Sequence, residues 1–253
     1  MHRFLLCSAL ACLCGGAVAT SAQLLNTHAG LGAPSAEGGG LSIAYVSSGD
    51  LTNNGGASNT LSQAYTGVNN SANELLAILI VGDTITGGND DITSVTYNGV
   101  PATLAAKYTS PPVSAGTRYM YVYTLMNPAI GSHDVVITAA SAHYLLGVVG
   151  EYSGVNTIPV DTTTTNGAAA VSLSTNITSA AANEWVIVCA QAGGSIPASG
   201  SNTTLRLGTT SFNNPTLLDT NGTVPMGTAS ININSMDGAA SEEEVLLVAI
   251  AHG

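Results

Sequence analysis

The sequence predicts an all-β fold, an antiparallel β-sandwich of about twelve strands. Three observations carry that prediction. First, apolar and polar residues alternate along many short stretches, and the continuous apolar runs are strand-length and flanked by turn residues. Second, pairs such as Asn98-Gly99 and Asn127-Pro128 punctuate those stretches. Asn-Gly is the strongest short hairpin signal, because both central residues of a type I′ turn need positive φ. Third, apolar residues make up 45% of the chain and charged residues only 8%. That supplies a core, which argues against disorder. It leaves a surface of hydroxyls and amides, where a soluble domain usually carries about 25% charged residues.

Residues 1–22 read as a secretory signal. His2 and Arg3 start it, residues 4–13 are its apolar run, and small residues at 17–19 and 20–22 offer cleavage after Ala19 or Ala22. Cys7, Cys12 and Cys14 fall in this leader. Cys189 is then the only remaining thiol, so no internal disulfide is available, and its place in an apolar run marks it as a buried small group. Residues 23–40 end in Gly38-Gly39-Gly40 and read as a flexible tail or linker. The sharper reading is an arm that adds a strand to a neighbouring subunit.

The sandwich domain is expected over residues 41–253. Its first strand is 43–46, a Gly/Asn/Ser loop follows over 51–60, and 61–65 is a half-polar strand. After the turn at Asn69-Asn70-Ser71, residues 74–81 form a continuous apolar run, read as a core strand from its length and flanks. Residues 94–97 lead into the Asn98-Gly99 turn, and 100–105 return, with Pro101 suited to a sheet edge. Residues 118–126 alternate, with Tyr119, Tyr121 and Tyr123 on one face and Arg118, Met120 and Val122 on the other. Asn127-Pro128 and Gly131 end that strand. Residues 133–139 alternate again, and 145–152 are apolar enough for a strand buried on both faces.

An internal echo then appears. Ala72-Asn73-Glu74 precedes one apolar run and Ala182-Asn183-Glu184 precedes another, 185–190; each follows a Thr/Ser-rich alternating stretch. Glu242-Glu243-Glu244 precedes a third apolar run at 245–250, where the charges read as gatekeepers. The intervals are too irregular for a solenoid. Residues 203–209 and 227–233 alternate between loops at 193–201 and 212–225. One sandwich of jelly-roll type fits this pattern; two smaller β domains divided near Asn166 are the alternative.

Three segments, TYNGVPATL, LMNPAIGSHDVVIT and VGEYSGVNTIPVD, together resemble a β-sandwich module of bacterial secreted and surface proteins and some phage structural proteins. The module's pattern reads roughly TYNGV-x-x-T, L-x-NP-x-x-G-x-H-x-V-x-V-T and YSGV-x-x-x-x-PVD, and the likeness extends over residues 41–253. The resemblance implies a jelly-roll-like fold and an extracellular setting. It implies no catalytic residues and no ligand. This chain departs from the pattern in its last strand, where Leu246 and Leu247 stand in place of an aromatic residue.

The charge balance excludes several functions. Four Lys and Arg stand against 15 Asp and Glu, a formal net charge of −11. With Arg3 lost in the leader, Lys107, Arg118 and Arg206 remain. Three scattered cations build no basic patch, so no nucleic-acid partner is expected, and anionic membrane surfaces are disfavoured. The leader's apolar run is too short to span a bilayer comfortably, so no membrane insertion is expected. No G-x-S-x-G, H-E-x-x-H, C-x-x-C or phosphate-cradling glycine loop is present. His28, His133, His143 and His252 read as ordinary solvated or hydrogen-bonded histidines rather than zinc ligands.

Two constellations remain as candidate sites. Tyr119, Tyr121 and Tyr123 would form a glycan-stacking face if exposed; the competing and preferred reading packs them inside with their hydroxyls at a polar rim. Asn89, Asp90 and Asp91 offer hard oxygen donors suited to Ca²⁺, the only cofactor the sequence suggests; the competing and preferred reading is a solvated acidic turn. Asp134, Glu151 and Asp161 could converge as carboxylates for glycoside hydrolysis, although nothing in their spacing requires it. An isopeptide crosslink would need Lys107, the only lysine. The sequence therefore points to a secreted or cell-surface structural or adhesive protein, not an enzyme, that works as a homo-oligomer or against a surface partner. A carbohydrate-binding module is the alternative, and a glycoside hydrolase the third reading.

Overall fold

The computed structural model describes residues 42–51, 56–67, 73–83, 90–109, 118–157, 162–166, 172–181, 183–192, 197–208, 215–235 and 243–252. The expected leader and arm lie outside the described residues. Gly38–Gly253 forms one compact unit, and its described secondary structure is entirely β. The first half contributes β1 (Ala44–Asp50), β2 (Ser58–Gly67), β3 (Leu75–Asp83), β4 (Ile92–Tyr97), β5 (Val100–Pro101), β6 (Thr103–Thr109), β7 (Arg118–Met126) and β8 (Gly131–Ser153). The second contributes β9 (Val155–Thr157), β10 (Thr162–Asn166), β11 (Ser172–Ser179), β12 (Trp185–Ala192), β13 (Pro197–Ser199), β14 (Thr204–Leu207), β15 (Thr216–Asp219), β16 (Gly227–Ser235) and β17 (Glu243–His252).

All strand pairings are antiparallel, and the strands stack as four layers around three cores. β8 belongs to two layers. Its first part pairs with β2 and β4, its last part with β3 and β1. The outer N-terminal layer is thus β5-β4-β8-β2, and the inner one β6-β7-β3-β8-β1. The inner C-terminal layer runs β14-β15-β12-β17-β10, and the outer one β13-β16-β11. The two inner layers pack face to face, which explains the continuous apolar runs. In β3, Leu76, Ile78 and Ile80 face the N-terminal core, while Leu75, Ala77, Leu79 and Val81 face the middle one. In β12, Val186, Val188 and Ala190 face the C-terminal core, and Trp185, Ile187 and Cys189 the middle. A strand buried on both faces has no polar side to alternate with.

The echo in the sequence is a repeated strand plan. β1, β2, β3, β4, β6, β7 and the two parts of β8 occupy the same places in their layers as β10, β11, β12, β13, β14, β15, β16 and β17. The corner before the central strand is the same in both repeats. Asn73 and Asn183 each take φ 65°, in the left-handed region that Asn tolerates better than most residues. The next residue, Glu74 or Glu184, is buried, and its carbonyl accepts an amide from the opposite turn, Asn127 N–H at 2.8 Å or Val224 N–H at 2.7 Å.

The all-β antiparallel sandwich expectation holds, with seventeen strands among the described residues instead of about twelve. Asn98 and Gly99 take φ of 50° and 73°, as the type I′ turn requires. The return strand does not run over 100–105, however. β5 ends at Pro101, which has no N–H to continue a ladder, and the chain crosses to the inner layer as β6. Residues 133–139 and 145–152, expected as two strands, are one continuous β8. β13 and β15 lie in stretches expected to be loops. β15 has only four residues, Thr216 to Asp219, all buried, too few to show a period. Glu244, expected as a surface gatekeeper, is also buried.

Candidate functional site

The tyrosine stripe on β7 sits between two layers. Tyr121 and Tyr123 point into the N-terminal core and are 3% and 8% exposed, while Tyr119 is partly buried against it. The rings follow one another along the strand, with centroids 6.5 Å and 6.3 Å apart. On the other face, Met120 and Val122 fill the middle core. Sugar stacking needs an open ring face, so Tyr119, Tyr121 and Tyr123 do not present the exposed platform that a glycan would need. Burial first, then the bond to Asp90, pushes the Tyr121 phenol far above its ordinary value; burial does the same more mildly for Tyr123.

The acidic turn is divided between partners. Asn89 lies outside the described residues. Asp90 accepts a hydrogen bond from Tyr121 Oη at 2.8 Å and forms an ion pair with Lys107. Partial burial raises its carboxyl, but the Lys107 and Tyr121 hydrogen bonds outweigh this and hold it below its ordinary value. Asp91 turns to Ser141, accepting from its backbone N–H at 2.9 Å and from its hydroxyl. The adjacent carboxylates thus engage different protein donors instead of framing one Ca²⁺ site. Among the described residues, no group of three or more His, Cys, Asp or Glu side chains comes together.

Sequence reasoning left two polar clusters unassembled. Glu151, fully buried on β8, accepts hydrogen bonds from Ser47 Oγ at 2.9 Å and Tyr65 Oη at 2.8 Å. Burial dominates in raising the Tyr65 phenol far above its ordinary value. Asp134, by contrast, is exposed and accepts from Ser62. Asp161 lies outside the described residues. The second cluster joins the two repeats. Asp219 on β15 is fully buried and accepts from Arg206 Nε at 2.8 Å and Asn221 N–H at 2.9 Å. The Arg206 guanidinium lies 4.4 Å from the ring centre of Tyr45, on β1, a cation–π contact across the middle interface. The sequence did carry a signal for both clusters, since a carboxylate inside or ending an apolar run must find donors.

His133 is satisfied locally, its Nε2 3.0 Å from the Ile130 carbonyl. Among the described residues, the outer layer of the C-terminal repeat is uncharged. β11, β16 and β13 contain no ionisable side chain. Register sets Ser172 opposite Asn234, Ser174 opposite Asn232, Asn176 opposite Ser230 and Thr178 opposite Thr228 on the solvent face. Asn232 bonds Ser174 across this face, and Asn202 bonds the Ser230 carbonyl. Beside it opens a hollow of about 400 Å³, lined by Asn202, Thr220, Thr223, Val224, Thr228 and Ser230 among others. The arrangement offers hydrogen bonds and flat contact area without charge. Comparison with known proteins finds no match among family models, curated proteins or solved structures.

Proposed function

We propose that this chain is a secreted, non-catalytic structural or adhesive protein that acts by self-association or by attachment to a surface. The observation that carries the reading is the division of charge. Among the described carboxylates, Asp90, Asp91, Glu151 and Asp219 are engaged by donors of the fold, while a whole outer layer carries no ionisable group. A protein of net charge −11 repels its own copies, and an uncharged layer is where such copies approach at least cost. The repeated strand order supports a reading as two jelly rolls back to back, the fold that the resembled module implies. Light scattering and electron microscopy on the chain from Gln23, across a range of concentrations, test the proposal. Oligomers, fibres or binding to cell envelopes are expected; a strict monomer that binds no surface overturns it.

A carbohydrate-binding function is the second reading, moved from the tyrosines to the hollow beside Asn202, whose hydroxyls and amides suit an uncharged polyol. Calorimetry with neutral oligosaccharides checks it. Binding abolished by a bulky substitution such as Thr228→Trp would support it, and absence of any heat with the intact chain would remove it.

A further inference from the structure

We infer that two copies of this chain pair through the free edge of β11, with a two-fold axis passing through Thr175. This rests on the assembly reading above and names its contact. Among the described residues, β11 hydrogen-bonds to β16 alone, and no described strand pairs with its other edge. Natural sheets protect such edges with charge, proline, bulges or shortness, and the other described edges show these devices. β6 carries Lys107 and a register shift between Leu104 and Ala106; β14 carries Arg206 and a shift between Leu205 and Leu207. β1 is shifted between Tyr45 and Ser47 and ends on Asp50. β5 has two residues and Pro101, β13 three and Pro197. β10 is only five residues long. β2 is the nearest rival, but the Asp134 carboxylate sits beside it on Ser62, and a two-fold axis would bring two such charges together. β11 runs eight residues in unbroken register with neither charge nor proline.

Its sequence is also self-complementary about Thr175, one of the registers that keep faces matched and the one that sets Leu173 against Ile177. Opposite residues of an antiparallel pair share a face, so the axis must pass through a residue. Centred on Thr175, Leu173 meets Ile177 of the second copy on the inner face. Ser174 meets Asn176 and Ser172 meets Thr178 on the outer face, and Thr175 meets itself. Ile177 is buried in the C-terminal core and Leu173 packs partly against it, so the pairing would extend that core across the axis and cover the half-exposed Leu173. The product is a continuous outer sheet of six strands, three from each copy, stabilised by ladder hydrogen bonds, Thr–Thr contact and an apolar pair on either side of the axis.

Because Thr175 faces its own copy, substitutions there give a signature that no other interface produces. In the chain from Gln23, Thr175→Lys and Thr175→Glu should each weaken self-association at least about tenfold by like-charge contact. An equimolar mixture of the two should restore it. The recovery also shows that each variant folds. Thr175→Cys should give a covalent dimer under mild oxidation, since opposite Cα atoms about 4.5–5.5 Å apart lie within disulfide reach. Leu173→Cys, whose opposite residue is Ile177, should not. If the chain associates but neither the charge pair nor Thr175→Cys responds, assembly stands and this contact is wrong. If the chain stays monomeric yet binds a surface, this contact is wrong and attachment stands. A monomer that binds nothing removes both.

Discussion

The N-terminal core holds the rings of Tyr65, Tyr97, Tyr121 and Tyr123, whereas the C-terminal core is made of Ile, Val, Leu and Ala alone. All nine tyrosines of the chain lie between Tyr45 and Tyr152. The difference reaches single positions. Glu151 and Ala249 stand at equivalent places, opposite Leu76 in β3 and Val186 in β12. One is a buried carboxylate holding two hydroxyls, and the other is a methyl group. Both repeats nevertheless reach the same strand order through the same Asn-Glu corner. The order is therefore specified by which positions are buried and where the turns fall, and the chemistry filling each core is free to diverge.

The largest break in this comparison lies at the joint between the repeats. Arg206→Ala leaves the fully buried Asp219 carboxylate without its cation, and such uncompensated burial costs about 3–5 kcal/mol. Chemical denaturation followed by Trp185 fluorescence, at the same interface, should show that loss. Matched core truncations come next. Ile78→Ala and Val188→Ala remove methyl groups at equivalent positions of β3 and β12, at a cost of about 2–4 kcal/mol for the larger deletion and less for the smaller. A single cooperative transition shifted by either one means that the repeats unfold together. Two transitions, each moved by its own mutation, mean that the middle interface is the weaker link.

Alkali should separate the two repeats by their chemistry. Burial raises the phenols of Tyr65, Tyr97, Tyr121, Tyr123 and Tyr152 above the ordinary value of 10.0. A raised folded pKa stabilises the fold fully below the unfolded value, and that stability is lost as pH rises beyond it. The melting temperature should therefore fall from about pH 10 upward, driven by the N-terminal repeat. The C-terminal repeat contributes only the buried Cys189 thiol, raised from 9.0 by desolvation. A melting temperature flat through pH 11 would contradict the buried placement of the rings.

Smaller effects test the corner and the surface. Asn73→Ala and Asn183→Ala each remove, at φ 65°, the short polar side chain that lets Asn tolerate the left-handed region and should cost about 1–2 kcal/mol, while Asn→Gly at either site is close to neutral. Unequal losses would show that the corners are not equivalent. Lys107→Ala removes a solvent-reached ion pair and should cost less than about 1 kcal/mol. Asp90 is held below its ordinary value by that pair, so the contribution is present at neutral pH and disappears as acid protonates the carboxyl. The difference between Lys107→Ala and the parent chain should therefore vanish at low pH.

Much of the strand pattern was legible because its signals are local. β7 and β12 begin where expected, β3 within one residue of expectation, and the Asn98-Gly99 and Asn127 turns take the positive φ that their residues suggested. β15 was missed because four consecutive buried residues have no period, and β13 because three residues have too little. The tyrosine stripe shows the limit most clearly. Alternation placed Tyr119, Tyr121 and Tyr123 on one face correctly, but no local feature states whether that face meets water or another layer. Here it meets another layer.

By itself the sequence determined the β class, the positions of the clearest turns, the continuous burial of the central strands and the echo between the halves. These follow from a side-chain period of two and from residues that tolerate positive φ, which are properties of a few neighbouring positions. Only the tertiary structure decided which carboxylate meets which donor, that Arg206 joins the repeats, and that β11 pairs with β16 alone among the described residues. Those outcomes depend on strand order. Glu151 reaches Ser47 across 104 residues of chain, a separation over which alternation carries no information about pairing.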